Sequence, residues 1–285
     1  MKNYIIIFIL YFFFEGCNSD CGLISMDQLQ TEEGGGNSPL AYKLKYYSND
    51  LVIEGFLVRP QLIDTPLPII IYNRGGNRDF GLIENNRLNY LKMLASHGYV
   101  VIASQYRGNS TSDGKDQMGG ADVEDIENLI RLVSEMKFVD PLNVGTLGYS
   151  RGGMMSLILS RQSDRMKTHI TIGAPTNLFH SGQIRPILYE EVLKPLIGDS
   201  ISFKESYIDR SSVFWAKDIK VPILLLHGSN DWRVDKFEFE QLVDSLTYYN
   251  KEFKSILIEE GNHALHNYPS RDSIIINWFN KYLKN

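Results

Sequence analysis

A serine flanked by glycines lies in the part of the sequence that is most informative about chemistry. Gly148, Tyr149, Ser150, Arg151 and Gly152 form a G-x-S-x-G motif. An apolar run precedes it and a longer stretch follows it, which predicts a sharp turn from a strand into a helix. Glycine suits both flanks, because side chains there would collide with neighbouring backbone. The motif predicts that Ser150 is a nucleophile and that the amide of Arg151 donates to a forming oxyanion. The alternative is a glycine-rich turn with a solvated serine.

Two later residues could activate this serine. Asp231 lies in a polar loop after an apolar run, and His263 lies in a loop after the last predicted strand. The chain order serine, aspartate, histidine is the order of the triad in the α/β-hydrolase fold. We therefore predict that Ser150 is the nucleophile, His263 the general base and Asp231 the carboxylate that orients the histidine. Two alternatives stay open: Asp231 could cap the next helix, and His266 could be the base.

A second oxyanion donor is expected in the loop after an early strand. This loop reads Asn73 to Asn77 and contains the pair Gly75 and Gly76. Paired glycines let backbone amides approach a substrate oxygen closely, so the amide of Gly75 or its neighbour is the predicted donor. A tight turn without a catalytic role is the alternative. Asp122 and Asp125 are predicted to stabilise the first turn of a helix rather than to act in catalysis.

The elements that must position these residues follow an α/β pattern. From Ile69 onward, short apolar runs alternate with longer amphipathic stretches, which predicts a mostly parallel twisted sheet with helices on both faces. A hairpin precedes this region, and Leu178 to Arg210, where the periodicity blurs, is predicted to be a small cap insertion. The predicted strands are Tyr42 to Tyr47, Leu51 to Val58, Ile69 to Tyr72, Tyr99 to Ser104, Val144 to Gly148, His169 to Gly173, Ile223 to His227 and Ser255 to Ile258, and the predicted helices are Asn85 to His97, Ala121 to Met136, Gly152 to Arg161, Lys236 to Asn250 and Ser270 to Lys284.

The N-terminal segment carries signals of export. Lys2 precedes an uncharged apolar run that ends at Phe14, which is typical of a signal segment and short for a transmembrane helix. Cys17 follows this run as in the lipobox of bacterial lipoproteins, although Glu15 departs from the usual pattern. Residues 1–17 are therefore predicted to be a signal segment with lipidation at Cys17, and a plain export signal or an uncleaved anchor are the alternatives. Residues 18–38 are predicted to be a flexible tether and residues 39–285 one α/β-hydrolase domain.

Composition limits the classes of partner and cofactor. The net charge is −5 and basic residues are scattered among acidic ones, so nucleic acid is not an expected partner. The two cysteines, Cys17 and Cys21, both precede the predicted domain, which excludes an internal disulfide and a cysteine zinc site there. We expect no cofactor and no metal, a small peptide or ester as substrate, and membrane contact only through an N-terminal lipid. The sequence does not indicate an oligomeric state.

Beyond the triad, the sequence from Tyr42 to Lys284 resembles the catalytic domain of the prolyl oligopeptidase family of serine peptidases. The resemblance implies the α/β-hydrolase fold and cleavage of amide or ester bonds through an acyl-enzyme. Five motifs carry it: Gln105 to Asn109, Gly119 to Asp122, Gly148 to Gly153, Asp209 to Ser212, and His227 to Asp231 with Arg233 and Val234.

Two departures from the family pattern bear on substrate choice. The residues before Tyr42 are too few for the β-propeller that full members usually carry. Arg74 stands where several members have a tyrosine that donates to the oxyanion. We predict that Arg74 instead binds a carboxylate or another anion near the scissile bond.

Three functions follow from this resemblance. The first is a peptidase-like hydrolase acting on short peptides. The second is a carboxylesterase of the dienelactone hydrolase or acetyl esterase type, since one site can serve both chemistries. The third is a binding protein that keeps the scaffold without catalysis.

Overall fold

The computed structural model describes residues 22–29 and 38–284. The predicted signal segment with Cys17 lies outside the described residues, and so do residues 18–21 and 30–37 of the predicted tether. Within them, nine strands form one sheet flanked by helices. The strands are β1 (Leu23–Gln28), β2 (Leu40–Ser48), β3 (Leu51–Arg59), β4 (Leu67–Asn73), β5 (Val100–Ser104), β6 (Val139–Tyr149), β7 (Met166–Ile172), β8 (Ile223–Gly228) and β9 (Phe253–Ile258).

Helices connect the parallel strands and also form the cap. The connecting helices are α1 (Asn85–Ser96), α2 (Asp122–Ser134), α3 (Arg151–Gln162), α8 (Lys236–Tyr248) and the C-terminal α9 (Arg271–Leu283). The cap contains α4 (Leu178–Ile184), α5 (Pro186–Leu188), a π-helical turn (Tyr189–Leu193), α6 (Lys194–Ile197) and α7 (Lys204–Arg210), followed by 3₁₀ turns at Ser212–Phe214 and Ala216–Asp218. In the part of the chain that the structure describes, every helix is too short or too polar to cross a membrane.

The sheet has the predicted mostly parallel form. Its order is β1-β2-β3-β5-β4-β6-β7-β8-β9, and the pairs from β5 through β4 to β9 are all parallel. Strands β1, β2 and β3 extend it by antiparallel pairing. The carboxyl ends of β4, β6, β8 and β9 therefore meet at one edge, where ligand sites of open α/β sheets lie.

Apolar side chains on both faces of the sheet explain why it is covered on both sides. In β5, Val100 and Ile102 join one buried cluster, whereas Val101 and Ala103 join the other. This alternation follows from the two-residue period of a strand. The first cluster contains apolar residues of α2, α3 and α8, and the second contains those of α1 and α9. Strands with near-continuous apolar sequences, such as β4 and β8, thus contribute side chains to the core on both faces of the sheet.

The described part of the predicted tether contains a strand, which corrects that prediction. Residues Leu23–Gln28 form β1 and pair antiparallel with β2, with Met26 opposite Leu44. Leu23 and Met26 pack against the core, while Asp27 and Gln28 are exposed. An edge strand buries only part of one face and tolerates polar residues, so its composition resembles that of a linker. Its backbone pairing with β2 supplies the order that composition alone did not predict.

Candidate active site

Ser150 occupies a strained turn between β6 and α3. Its φ of 53° and ψ of −123° lie where residues with a side chain are rarely found. A Cβ at Gly152 would lie 1.9 Å from the carbonyl oxygen of Asn73, and one at Gly148 would lie 2.3 Å from that of Gly152. Both glycines of the motif are therefore sterically required. The Ser150 amide donates to the Ile172 carbonyl at 2.8 Å, which fixes the turn to β7.

The predicted base and acid lie side by side at the ends of β9 and β8. The distance from His263 Nδ1 to Asp231 Oδ2 is 2.7 Å. The other carboxylate oxygen accepts the amides of Arg233 at 2.8 Å and Val234 at 3.0 Å. Burial raises the pKa of Asp231, but the hydrogen bonds from His263 and from these amides outweigh it, so the net pKa is lowered. Asp231 is thus held as a carboxylate that accepts a hydrogen bond from Nδ1–H of His263 and leaves Nε2 as the basic atom.

The other histidines near this pair have different partners. His227 Nε2 donates to the Val234 carbonyl at 3.0 Å, and burial lowers its pKa. It lies 3.6 Å from Asp231 Oδ2, beyond a good hydrogen bond. His266, the predicted rival base, lines the same cavity, but its Nδ1 faces Arg271 Nη1 at 3.2 Å. Burial, together with Arg271, lowers the pKa of His266. Of these three histidines, His263 has the closest contact with Asp231.

Gly173 is a site residue that the sequence analysis did not single out. It directly follows β7 with a φ of 55°, and a Cβ there would lie 2.7 Å from the His263 carbonyl oxygen. The same Cβ would be 3.0 Å from both His263 Nδ1 and Asp231 Oδ2. The missing side chain therefore provides the space in which the pair forms. Its place at the end of the predicted strand before the cap was the available signal.

The loop with the predicted second oxyanion donor lies directly against the nucleophile. A Cβ on Gly75 would be 3.1 Å from the Cβ of Ser150 and 3.0 Å from the Tyr149 carbonyl oxygen. Arg151 is the first residue of α3, so its amide is one of those that find no acceptor within the helix. Gly75 thus lies against Ser150, and Arg151 directly follows Ser150 in the chain, so the two donor roles stay predictions.

Arg74 is buried, which corrects its predicted role in substrate binding. Its guanidinium donates to the carbonyl oxygen of Gln105 at 2.8 Å and to those of Gly75 at 3.1 Å and Phe80 at 3.3 Å. Arg74 is fully buried and is not among the residues that line the cavity around Ser150. Its charge holds the 75–80 loop from within. The sequence does not reveal this, because only the fold brings the Gln105 carbonyl to Arg74 and buries its guanidinium.

The side chain of Arg151 ties the nucleophile to the same loop. Its guanidinium donates to Asp116 Oδ2 at 2.8 Å, to the Gly76 carbonyl at 3.3 Å, and to Asp122. The Tyr106 ring lies between two guanidinium groups, 5.0 Å from that of Arg151 and 4.9 Å from that of Arg74. These contacts make the nucleophile turn and the oxyanion loop one buried cluster.

Asp122 and Asp125 lie in the first turn of α2, as predicted, and each also forms a buried ion pair that the sequence does not predict. Asp122 pairs with Arg151, and Asp125 pairs with Arg107 at 2.8 Å and accepts the Ser48 hydroxyl at 2.7 Å. Both carboxylates are fully buried in the first turn of α2, where an ion pair is needed to offset the loss of solvent. They connect α2 to the site and to the hairpin.

Ser150 and His263 open into one cavity of about 990 Å³. One wall consists of Tyr72, Tyr90 and Tyr149, whose ring centroids lie 5.7 to 6.2 Å apart. The cap forms the opposite side through Leu178, Arg185 and their neighbours. Among the described residues, no group of three histidine, cysteine, aspartate or glutamate side chains could hold a metal ion.

Comparison with known proteins places this geometry among peptidases. Residues 86–285 match the model of the prolyl oligopeptidase family. The chain is 25% identical to the uncharacterized peptidase YtmA of Bacillus subtilis over 245 residues, which cover 86% of this chain and 93% of that protein. It is 24% identical to the acylamino-acid-releasing enzyme of Rattus norvegicus, covering 82% of this chain but 34% of that enzyme.

Solved structures share the fold. The acylaminoacyl peptidase of Pyrococcus horikoshii superposes with a TM-score of 0.73 at 20% identity, covering 94% of this chain and 51% of that one. An acetyl xylan esterase from Paenibacillus sp. R4 superposes with a TM-score of 0.72 at 17% identity, covering 92% and 90%. The chain thus spans a third to half of the larger peptidases it matches and nearly all of the smaller relatives. With the family model matching most of its length, the chain belongs to the prolyl oligopeptidase family, whose members are serine hydrolases.

Proposed function

We propose that this protein hydrolyses short peptides through an acyl-enzyme on Ser150. One arrangement carries the proposal: the strained Ser150 shares a cavity with His263, whose Nδ1 lies 2.7 Å from Asp231 Oδ2. A serine hydroxyl is a weak nucleophile until a neighbouring base accepts its proton, and a base works best when a third group orients it. The three residues come from three separate strand ends, which the sheet brings to one edge.

The proposed reaction has two steps. Ser150 Oγ attacks the substrate carbonyl while His263 Nε2 accepts its proton, and the amides of Gly75 and Arg151 stabilise the oxyanion. His263 then returns the proton to the leaving amine, and Asp231 stabilises the imidazolium. Water repeats the sequence on the acyl-enzyme and releases the product with Ser150 restored.

An esterase is the second candidate. The acetyl xylan esterase matches this chain over nearly the full length of both proteins. The same nucleophile, base and oxyanion donors would serve an ester, because the fold does not select the leaving group. The names of the relatives, from YtmA to the acylamino-acid-releasing enzyme, favour the peptidase.

The nucleophile is tested with a fluorophosphonate probe and mass spectrometry. We expect the wild type to gain one adduct on the peptide that contains Ser150, and Ser150→Ala and His263→Ala to gain none. Heat-denatured wild type serves as the control for non-specific labelling. A folded wild type that stays unmodified would contradict the proposal and favour the non-catalytic binding protein.

Paired substrates then separate the two chemistries. Aminoacyl anilides report amide cleavage and short-chain nitrophenyl esters report ester cleavage. A peptidase cleaves both, because nitrophenyl esters are more reactive, whereas an esterase leaves the anilides intact. Anilide turnover that is lost in Ser150→Ala is therefore the deciding result for the peptidase.

We also propose that the protein is exported and lipid-anchored to a bacterial membrane through Cys17. Lys2, the apolar run to Phe14 and the position of Cys17 support this. The test is metabolic labelling with a fatty-acid analogue during expression in bacteria. The wild type and Cys21→Ser should be labelled and Cys17→Ser should not. Label that persists in Cys17→Ser, or is absent from all three, would refute the anchor.

A further inference from the structure

Arginines dominate the charge of the cavity around Ser150. Two of those that line it are neutralised by carboxylates: Arg151 pairs with Asp116 and Asp122, and Arg271 pairs with Asp272 at 2.8 Å. Glu191, an exposed residue, is the carboxylate among the lining residues. Three further lining arginines form no ion pair with any residue that the structure describes: Arg87, Arg185 and Arg233.

Arg185 is the most constrained of these unpaired cations. It follows α4 of the cap, is half-buried, and donates from Nη1 to the Arg233 carbonyl oxygen at 2.7 Å. Burial lowers the pKa of Arg185, and the nearby Arg233 guanidinium lowers it further, while Asp231 and Glu238 act in the opposite direction. A half-buried guanidinium beside a second one is unfavourable until an anion joins them.

Aromatic rings lie beside the two guanidinium groups. The Arg233 guanidinium carbon lies 4.6 Å from the centre of the Trp232 ring and 5.4 Å from that of Phe80. The Arg185 guanidinium carbon lies 5.8 Å from the same Trp232 ring. Trp232 and Phe80 are 70% and 61% exposed, and the two half-buried arginines beside them line the cavity. Such stacking leaves the N–H edge of a guanidinium free to bind a carboxylate.

We propose that the site selects substrates that carry a carboxylate close to the scissile bond, with Arg185 as the residue that binds it and Arg233 beside it. Acidic peptides and monoesters of dicarboxylic acids are the two sources of this group. The inference rests on the proposed function, because the carboxylate is recognised in the cavity where Ser150 acts. Arg185 of the cap thus takes the anion-binding role that the sequence predicted for Arg74, which is buried.

Pairs of an acidic and a neutral substrate of equal chain length test the inference. A glutamyl anilide is compared with the glutaminyl anilide, and the nitrophenyl monoester of glutaric acid is compared with nitrophenyl valerate. The enzyme is compared on whichever pair, anilide or ester, it cleaves. We expect kcat/KM to be about tenfold higher for the acidic member of that pair, which one charge-assisted hydrogen bond can supply. In Arg185→Gln this preference should fall to about twofold or less, and Arg185→Lys should retain part of it. Arg131→Gln removes one exposed arginine of α2 away from the cavity and should keep the full preference.

The outcomes distinguish failure of the carboxylate preference from failure of the proposed hydrolase function. Labelling of Ser150 with equal or lower kcat/KM for the acidic member overturns the carboxylate preference and leaves the hydrolase intact. If Ser150 is not labelled and no substrate is turned over, both the carboxylate preference and the proposed hydrolase function are overturned. If Arg185→Gln does not fold, the wild type still decides: its preference should decrease severalfold between about 0.02 and 0.5 M salt, because ions screen a charge contact. A preference that is insensitive to salt and to Arg185→Lys would contradict the role of Arg185.

Discussion

Every hydrogen-bonding atom of the Asp231 carboxylate is engaged. Oδ1 accepts two backbone amides of its own loop, and Oδ2 faces His263 Nδ1. The loop therefore fixes the carboxylate before the histidine meets it. Asp231 orients His263 with little freedom, and this geometry distinguishes it from an aspartate that merely caps a helix. The cap of α8 is instead Asp235, whose side chain accepts the Phe237 amide.

Replacing Asp231 with asparagine should separate geometry from charge. Asparagine can keep the two amide bonds, but its NH₂ group would face Nδ1 and place the histidine proton on Nε2, where it cannot accept one from Ser150. We expect kcat to fall by about 1,000-fold or more with a small change in KM. Steady-state kinetics on the preferred substrate measure this. Asp244→Asn, an exposed change in α8, is the control, and a loss below tenfold in Asp231→Asn would argue against the assigned role.

Gly173 allows a second test at the scale of one residue. A methyl group there would press on the His263 carbonyl and on both members of the acid–base pair. We expect Gly173→Ala to fold with reduced stability and to lose at least about tenfold in kcat, since small displacements of a catalytic group are costly. Gly98→Ala is the matched control: its φ is +79°, but its Cβ would meet little besides the Lys284 side chain at 3.4 Å. Equal activity in the two variants would show that the contact with the pair is unimportant.

Residues differ in how far their placement could be predicted from the sequence. The positions of Ser150, Asp231 and His263 followed from their places after apolar strands, because parallel strands bring their carboxyl ends together. The surroundings of Arg74 and Asp122 did not, since Gln105, which accepts from Arg74, and Arg151, which pairs with Asp122, become their neighbours only in the folded chain. The positions of residues that follow from the order of the strands could be predicted from the sequence, whereas the burial of charged side chains could not.

Among the elements, the cap is joined to the sheet through a buried carboxyl on α8. Glu238 Oε2 accepts the amides of Thr176 and Asn177, both at 2.9 Å, and Ser181 Oγ lies 2.5 Å from Oε1. Thr176 and Asn177 immediately precede α4, and Ser181 lies within it and lines the cavity. Burial raises the pKa of Glu238 to about 7, although these hydrogen bonds partly oppose the rise.

This carboxyl predicts how stability depends on pH. Its pKa is higher in the folded chain than the ordinary 4.5, so the folded state holds a proton that the unfolded state has released between those values. The contribution of Glu238 to the free energy of unfolding should therefore decrease as pH rises from about 4.5 to 7, by up to about 3 kcal/mol. Glu238→Gln imitates the protonated form and should lack this decrease. Urea unfolding of both proteins from pH 5 to 8 tests it, and parallel pH profiles would contradict it.

Element boundaries show where periodicity is informative. The long helices and strands β2 to β9 agree with the prediction within three residues, because each buries a regular apolar face, except that β6 begins at Val139, five residues before its predicted start. The cap was predicted only as a region, since helices of three to seven residues and a π-helical turn show too few periods to detect. Strand β1 was missed because its order comes from pairing with β2.

For the molecule as a whole, the sheet determines how the site is assembled. Strands β4, β6, β8 and β9 precede the proposed oxyanion loop, nucleophile, acid and base in that order along the chain. The Tyr106 ring, between the guanidinium groups of Arg74 and Arg151, then joins the first two of these loops. The fold class and the chain order were predictable together, since the triad order is itself a property of this topology.

The backbone conformation of Ser150 also lowers the stability of the domain. A side chain at a φ of 53° and a ψ of −123° costs about 1–3 kcal/mol, and the surrounding packing must offset this. Ser150→Ala removes the hydroxyl but keeps the strained Cβ, whereas Ser150→Gly removes both. We expect Ser150→Gly to exceed Ser150→Ala in free energy of unfolding by about 1 kcal/mol, after the greater entropy of unfolded glycine is included. Chemical unfolding of the two inactive variants would measure it, and equal values would refute it. Selection for activity alone would then keep this chain less thermostable than its own inactive Ser150→Gly variant.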